Sequence, residues 1–298
     1  MNIAKLISFL PRFLRRHKIV QIILLLSPQS RTQLIMINGN FKLFLDVSDP
    51  YARSYLFVGG YDPEFFSIAK PFLSRGGVFF DVGANFGFCS FGLIGCLSRN
   101  DIEFHLFEAN AEICKLLFQS AALYPDCTVS INHCCVTDSP GTSSLYINSN
   151  NFGSSFISEY GTQDVHNLIL DTYIYERSIR KINLLKIDIE GWEPRALKGA
   201  LNSLATGIID TIYIEISTLN LSRVGSRVDD CFALLKDAGF VLFYVKNADF
   251  ESGLADEGKA LALNINGYPL KAATLDSFPV EHQTDILAIH KSSEFLWN

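Results

Sequence analysis

Asp81, Gly83, Asn85 and Gly87 stand at alternate positions of the stretch Phe-Asp-Val-Gly-Ala-Asn-Phe-Gly. A turn with glycines at these places lets backbone N–H groups and a helix N-terminus come close to a ligand, because glycine has no Cβ to hold it off. The spacing is not the Gly-x-Gly-x-x-Gly of a dinucleotide loop. Asp81 beside the turn would repel a pyrophosphate and suits a cationic group such as an α-amine. A second carboxylate, Glu108, ends the next apolar run, 104–107. At the tip of an adjacent strand it can accept bonds from both hydroxyls of a ribose.

A second group of acids lies in the middle of the chain. Asp188 ends the apolar run 184–189, Glu190 and Glu193 follow it, and Asp171 ends a shorter run at 168–171. A positioned carboxylate can orient a hydroxyl or take its proton. Lys186, two residues before Asp188 on the same strand face, can pair with it or contact substrate. Glu190 and Glu193 also have a plain reading as acids stabilised at a helix start. The four acids could hold Mg²⁺, but nothing in their spacing demands it, and no metal ligand is assigned. The six histidines are isolated, and only His166, near Asp171, is a catalytic candidate.

Four motifs in order, 80–87, 107–110, Leu-Asp at 170–171, and Leu-Leu-Lys-Ile-Asp-Ile-Glu-Gly-Trp-Glu at 184–193, resemble those of the FkbM family of S-adenosylmethionine-dependent methyltransferases. The resemblance covers roughly residues 60–220. One departure is Ala109, where the family usually has proline. The resemblance implies a class I methyltransferase fold, with S-adenosylmethionine as cofactor and a hydroxyl on a sugar, glycan or secondary metabolite as acceptor. It also implies that the loop after the third strand closes over adenine, which makes Cys135, Val136 and Asp138 candidates by position, with Ala109 beside Glu108. Asp138 reads equally well as a turn residue. With an already activated methyl group, positioning does most of the work, and Asp188 is the acid best placed beside it.

The elements that must hold these residues follow from pattern. Short apolar runs at 78–82, 104–107, 128–134, 184–189, 208–216, 240–246 and 285–290 read as strands, and 63–73, 88–97, 111–123, 192–204 and 229–239 as helices. Strand and helix alternate as in a doubly wound, mostly parallel seven-stranded sheet, whose ligands sit beyond the carboxyl ends of the strands. The segment 33–47 reads as a hairpin turning at Asn38-Gly39-Asn40, while 51–61 is ambiguous. Residues 1–60 are thus expected to form an extension, and 61–298 the cofactor-binding domain. The Asn/Ser/Gly-rich stretch 148–161 is the longest loop, with Ser154 and Ser155 as candidate substrate contacts.

Composition excludes some classes. A net charge of −6 argues against nucleic acid as the main partner. Seven scattered cysteines without metal-like spacing read as free, buried thiols of a cytoplasmic protein. The rival classes are an oxidoreductase using NAD, disfavoured by Asp81 and the missing dinucleotide loop, and a non-catalytic binding protein, disfavoured by the intact loop and acids.

Residues 1–26 place Arg12, Arg15, Arg16, His17 and Lys18 between two aliphatic runs. Neither run approaches the ~20 residues of a spanning helix, and no small-residue cleavage site follows Leu26. Two readings remain: a helix packed on the domain or on a second subunit, and an amphipathic helix on an anionic membrane surface. Neither the acceptor nor the oligomeric state has a readable code.

Overall fold

The apolar runs that end in Asp81, Glu108 and Asp188 become neighbouring parallel strands. The structure is a computed structural model and describes residues 16–27, 30–58, 60–149, 151–245, 262–276, 278 and 283–293. Helix α1 (Arg16–Leu26) precedes the hairpin β1 (Thr32–Ile37) and β2 (Phe41–Asp46), and α2 (Pro50–Val58) and α3 (Pro63–Leu73) follow. Then come β3 (Gly77–Val82), α4 (Phe88–Leu97), β4 (Ile102–Glu108), α5 (Ala111–Ala121) and β5 (Thr128–His133). A small sheet is built from β6 (Cys135–Val136), β7 (Thr142–Tyr146), β8 (Phe156–Ile157) and β9 (Gln163–Leu168).

The second half holds α6 (Leu170–Glu176), β10 (Leu184–Ile187), α7 (Glu193–Lys198), α8 (Leu201–Ala205), β11 (Thr211–Ser217), α9 (Thr218–Arg223), α10 (Val228–Asp237) and β12 (Phe240–Tyr244). It closes with β13 (Ala262–Ile265), β14 (Tyr268–Ala272) and β15 (Gln283–His290).

The main sheet has nine strands in the order β13-β14-β12-β15-β11-β10-β3-β4-β5. This corrects the expected seven. The seven expected strands are all present, but the hairpin β13–β14 adds to the β12 edge. The sheet is also mixed: β5, β4, β3, β10 and β11 run parallel, whereas β15 inserts antiparallel between β11 and β12. Strand order switches between β3 and β10: the chain adds β4 and β5 on one side of β3, then returns with β10 on the other, so the carboxyl ends of β3 and β10 lie side by side at the switch point.

One face of the sheet packs Phe79, Phe104, Leu184 and Tyr213 against α3, α4, α5 and the hairpin. The other packs Phe80, Leu185, Ile187 and Ile214 against α6, α7, α8 and α10. Both faces are therefore covered, which explains the unbroken apolar runs. Cys134, in the bend between β5 and β6, and Cys135, the first residue of β6, join different clusters.

The hairpin turns through Asn38 (φ 50°) and Gly39 (φ 74°), the left-handed pair a two-residue β-turn needs. It packs Phe41, Leu43 and Leu45 into the main core. Its outer edge is met by side chains. The Tyr124 hydroxyl accepts from the Lys42 N–H and donates to the Lys42 carbonyl, both at 2.7 Å, and Ser120 Oγ accepts from the Phe44 N–H at 2.9 Å.

Three local expectations are corrected. The ambiguous segment 51–61 is largely helix α2. The run 168–171 is not a strand end: β9 stops at Leu168, and Asp171 lies in the first turn of α6. The single helix expected over 192–204 is two, α7 and α8, broken at Gly199, where an added Cβ would stand 2.2 Å from the Thr137 carbonyl. In the N-terminal segment, residues before Arg16 lie outside the described residues. Helix α1 sets Val20 against Val47 and leaves Ile22, Leu25 and Leu26 more than half exposed. Among the described residues no helix is long and apolar enough to cross a membrane.

Candidate active site

The carboxyl ends of β3, β4 and β10 meet at the glycine turn. Gly83 has φ 79°, and a Cβ there would lie 1.8 Å from the Asp188 carbonyl, so only glycine lets the β3 and β10 ends come this close. Asn85 follows at φ 49°. Its N–H donates to Glu108 Oε2 at 2.8 Å, and the Asn110 N–H donates to Oε1 at 2.7 Å. Glu108 therefore fixes the turn and the start of α5 together. Burial raises its pKa, and these backbone donors oppose that rise.

Two cavities open on either side of this turn. The first, about 650 Å³, is lined by Gly83, Asn85, Glu108 and Ala109, by apolar groups such as Val136 and Phe156, and by Asp188, Glu190 and Trp192. The second, about 1020 Å³, is polar and is lined by Tyr51, Tyr61, Asn151, Ser154, Lys186, Glu215, Asn220, Arg223 and Gln283. Gly83, Asn85, Gly153, Asp188 and Glu190 border both. The stretch 148–161 forms the partition: a Cβ on Gly153 would stand 2.6 Å from Asn85 Nδ2, so the loop lies directly on the turn.

Lys186 is nearly buried and its ammonium lies 3.2 Å from Asp188 Oδ2 and 3.8 Å from Asp81 Oδ1. Burial opposes its charge, but the Asp188 and Asp81 carboxylates outweigh that and push its pKa well above the ordinary lysine value. Glu190, at φ 58°, accepts from Asn220 Nδ2 at 2.6 Å, and burial with Asp188 and Glu193 nearby pushes its pKa up to about 7. Glu215 and Asp285 face each other across β11 and β15, and burial raises both, Asp285 to about 7.

The expected site residues divide. Gly83, Asn85, Glu108, Ala109, Val136, Lys186, Asp188 and Glu190 come together around the two cavities. Asp81, expected beside a cofactor amine, lines neither cavity. It is fully buried, its Oδ2 accepts from the Ser90 hydroxyl at 2.6 Å, and it supports Lys186 from beneath. Gly87 also lies behind the cavity wall, as the residue before α4. Asp171 is elsewhere: its carboxylate accepts from the Asn202 and Ser203 N–H groups, both at 2.9 Å, and so caps α8. Glu193 accepts from the Ile189 and Gly191 N–H groups at 3.1 Å and holds the turn after β10. Asp138 pairs with Arg195 at 3.1 Å, and His166 is exposed on β9.

Tyr51, Asn151, Asn220, Arg223 and Gln283 escaped sequence reasoning, since each stands alone in an unremarkable segment. Glu215 did leave a signal, as a charge inside an apolar strand. Among the described residues no group of three or more His, Cys, Asp or Glu side chains is arranged to hold a metal ion.

The core order β5-β4-β3-β10-β11-β15-β12 with β15 antiparallel, a glycine turn after β3 and a carboxylate ending β4 are those of a class I methyltransferase fold. The chain belongs to the FkbM methyltransferase family: the family description "Methyltransferase FkbM domain" matches residues 81–242, from the glycine turn into β12. No curated protein matches it.

Among solved structures it is similar to a methyltransferase FkbM from Methylobacillus flagellatus KT, at 15% identity and TM-score 0.44, over 72% of this chain and 43% of that one. This chain thus matches less than half of that protein. It is also similar to the magnesium protoporphyrin IX methyltransferase of Synechocystis PCC 6803, solved with bound SAH, at 9% identity and TM-score 0.37, over 76% of this chain and 82% of that one. A third is the CurJ carbon methyltransferase, at 10% identity and TM-score 0.43, over 83% of this chain and 60% of that one.

Proposed function

We propose that the protein transfers a methyl group from S-adenosylmethionine to a hydroxyl of a sugar, glycan or similarly polar metabolite. The observation that carries this reading is the shared border: Asp188 faces both a half-apolar cavity beside Glu108 and a polar cavity beyond it. The residues present fit the cofactor. The first cavity presents buried polar atoms without protein partners, Asn85 Oδ1 and Trp192 Nε1, beside a carboxylate at a strand tip. Glu108 would hold the ribose hydroxyls with its remaining lone pairs, and Val136 and Ala109 would flank the base. When bound, the cofactor supplies a methyl group already activated on a sulfonium.

The chain's own residues then act on the acceptor. Asp188 accepts the hydroxyl proton or fixes the hydroxyl's direction, and the Lys186 ammonium holds its carboxylate in place. Asp81, beneath, keeps Lys186 at that end of the strand. Side-chain amides and hydroxyls in the second cavity, among them Asn151, Ser154, Asn220 and Gln283, offer donors and acceptors to a polyhydroxylated ligand. Tyr51 and Tyr61 offer aromatic edges to its apolar face.

The test is calorimetry with SAM, SAH and NAD, followed by a transfer assay with labelled SAM across a panel of sugars and glycans. Binding of SAM and SAH but not NAD, with label appearing on a hydroxyl, supports the reading. Binding of NAD alone, or label appearing only on carbon or nitrogen acceptors, overturns it.

A further inference from the structure

The hydrogen bonds of Asp49 link the N-terminal extension to the segment that partitions the two cavities. Asp49 is fully buried at the start of α2. Its Oδ1 accepts from the Ala52 N–H at 2.8 Å, which caps the helix carrying Tyr51. Its Oδ2 accepts from the N–H of Phe152, about a hundred residues on in the chain. Phe152 and Gly153 line the first cavity, while Asn151, Gly153 and Ser154 line the second. One carboxylate thus joins the helix that walls the polar cavity to the loop that partitions it from the other.

The segment is anchored at its far end, where β8 pairs with β7 and the Ser158 N–H donates to the Ser144 carbonyl, and the Phe152 ring packs against the main core. Within the 3₁₀ turn at Phe152–Ser154 the Gly153 N–H donates to Asn151 Oδ1 and the Asn148 side chain to Ser154 Oγ. Asp49 adds to these a backbone hydrogen bond from the turn to the start of α2. Burial raises the Asp49 pKa and the Phe152 and Ala52 N–H groups oppose the rise. Arg53, buried close by, adds a favourable charge.

We propose that Asp49 is a positioning residue that holds the 151–154 turn over the glycine turn, so that the N-terminal extension takes part in cofactor binding without touching the cofactor. The identity of the occupant rests on the methyltransferase reading above; the tether itself does not. The two arms of the carboxylate can be separated. Serine is as good a helix cap as aspartate but is too short to reach Phe152, so Asp49→Ser keeps the cap and drops the tether. Asp49→Asn keeps the shape but can turn an N–H donor towards the Phe152 N–H.

Two measurements on the full chain decide the matter. Hydrogen exchange over 151–154, which needs no ligand, is expected to rise at least about tenfold in both variants while exchange in α2 of Asp49→Ser stays near wild type, because serine keeps the cap and neither variant offers Phe152 a carboxylate. SAH affinity by calorimetry is expected to fall by a similar factor. Wild-type exchange in the loop of both variants overturns the tether. Faster exchange with unchanged SAH affinity overturns the role in binding. A wild type that binds no SAH leaves the exchange result standing and strikes the methyltransferase reading instead. If Asp49→Ser fails to fold, Asp49→Asn carries both measurements.

Discussion

The two cavities that meet at Asp188 are built in opposite ways. The first is walled on the sheet side by motif residues and closed by Val136, Leu145 and the 152–157 segment, and its main carboxylate, Glu108, is held by two backbone N–H groups. The second gathers single residues from α2, the 148–161 loop, β11, α9 and β15, and sets the carboxylates of Asp188, Glu190 and Glu215 against the cations Lys186 and Arg223. Backbone-held groups are preorganised and tolerate little change. Groups balanced by side-chain charge respond to pH and to ligand.

The sharpest way to break this division is Asp188→Asn, which keeps the shape on the shared border and removes the charge. Turnover is expected to fall by about 10²- to 10⁴-fold with SAH affinity little changed, as measured by steady-state assay and calorimetry. Loss of cofactor binding instead would assign Asp188 to the first cavity. Gly83→Ala attacks the border itself. With φ at 79° and the Asp188 carbonyl 1.8 Å from the new Cβ, strain and overpacking are expected to cost at least about 2 kcal/mol in denaturant unfolding.

Glu108→Ala should act on one side only, weakening SAH at least about tenfold through lost charge-assisted bonds. An unchanged affinity would show that the backbone cradle, not the carboxylate, does the binding.

A smaller effect tests the charge-balanced side. Glu190 has its pKa raised to about 7 by burial and neighbouring acids. The folded protein therefore holds this proton more tightly than the unfolded chain, whose glutamate titrates near 4.5. Its contribution to stability is complete below about pH 4.5 and is lost as pH rises through about 7. Glu190→Gln is expected to flatten the fall in melting temperature between pH 5 and about 8, and an unchanged slope counts against the crowding of acids. The smallest expected effect lies outside both cavities. Deleting residues 1–26 should abolish salt-sensitive sedimentation with anionic liposomes and leave SAH affinity as it was. Liposome binding that survives the deletion removes the membrane reading.

The same contrast explains what the sequence disclosed. Asp81, Gly83, Asn85 and Glu108 lie at strand ends, where chain order and spatial order coincide, so pattern alone located the turn and the acid beside it. The roles within that pattern were less legible. Asp81 points under the sheet's end to Ser90 and Lys186, because alternation along β3 sends it to the α4 face. Asp171 looked like a strand-end acid, but α6 starts one residue before it, and its carboxylate is taken by α8. Tyr51 and Gln283 could not have been found, since only the completed fold brings α2 and β15 to the same opening. The extra hairpin at the β12 edge was legible and missed: Asn266-Gly267 turns the chain between Leu263, Ile265 and Tyr268, Leu270, the same Asn-Gly signal that disclosed the first hairpin.

Tyr124 and Ser120 have a consequence for how the molecule behaves among copies of itself. The outward N–H and C=O groups of β2 would ordinarily invite another chain to lengthen the hairpin. Here the Tyr124 hydroxyl takes both groups of Lys42 and Ser120 takes the N–H of Phe44, so two side chains on the α5 side stand where a third strand would lie. The hairpin is thereby sealed as a two-stranded unit, closed to growth on that edge by β-addition.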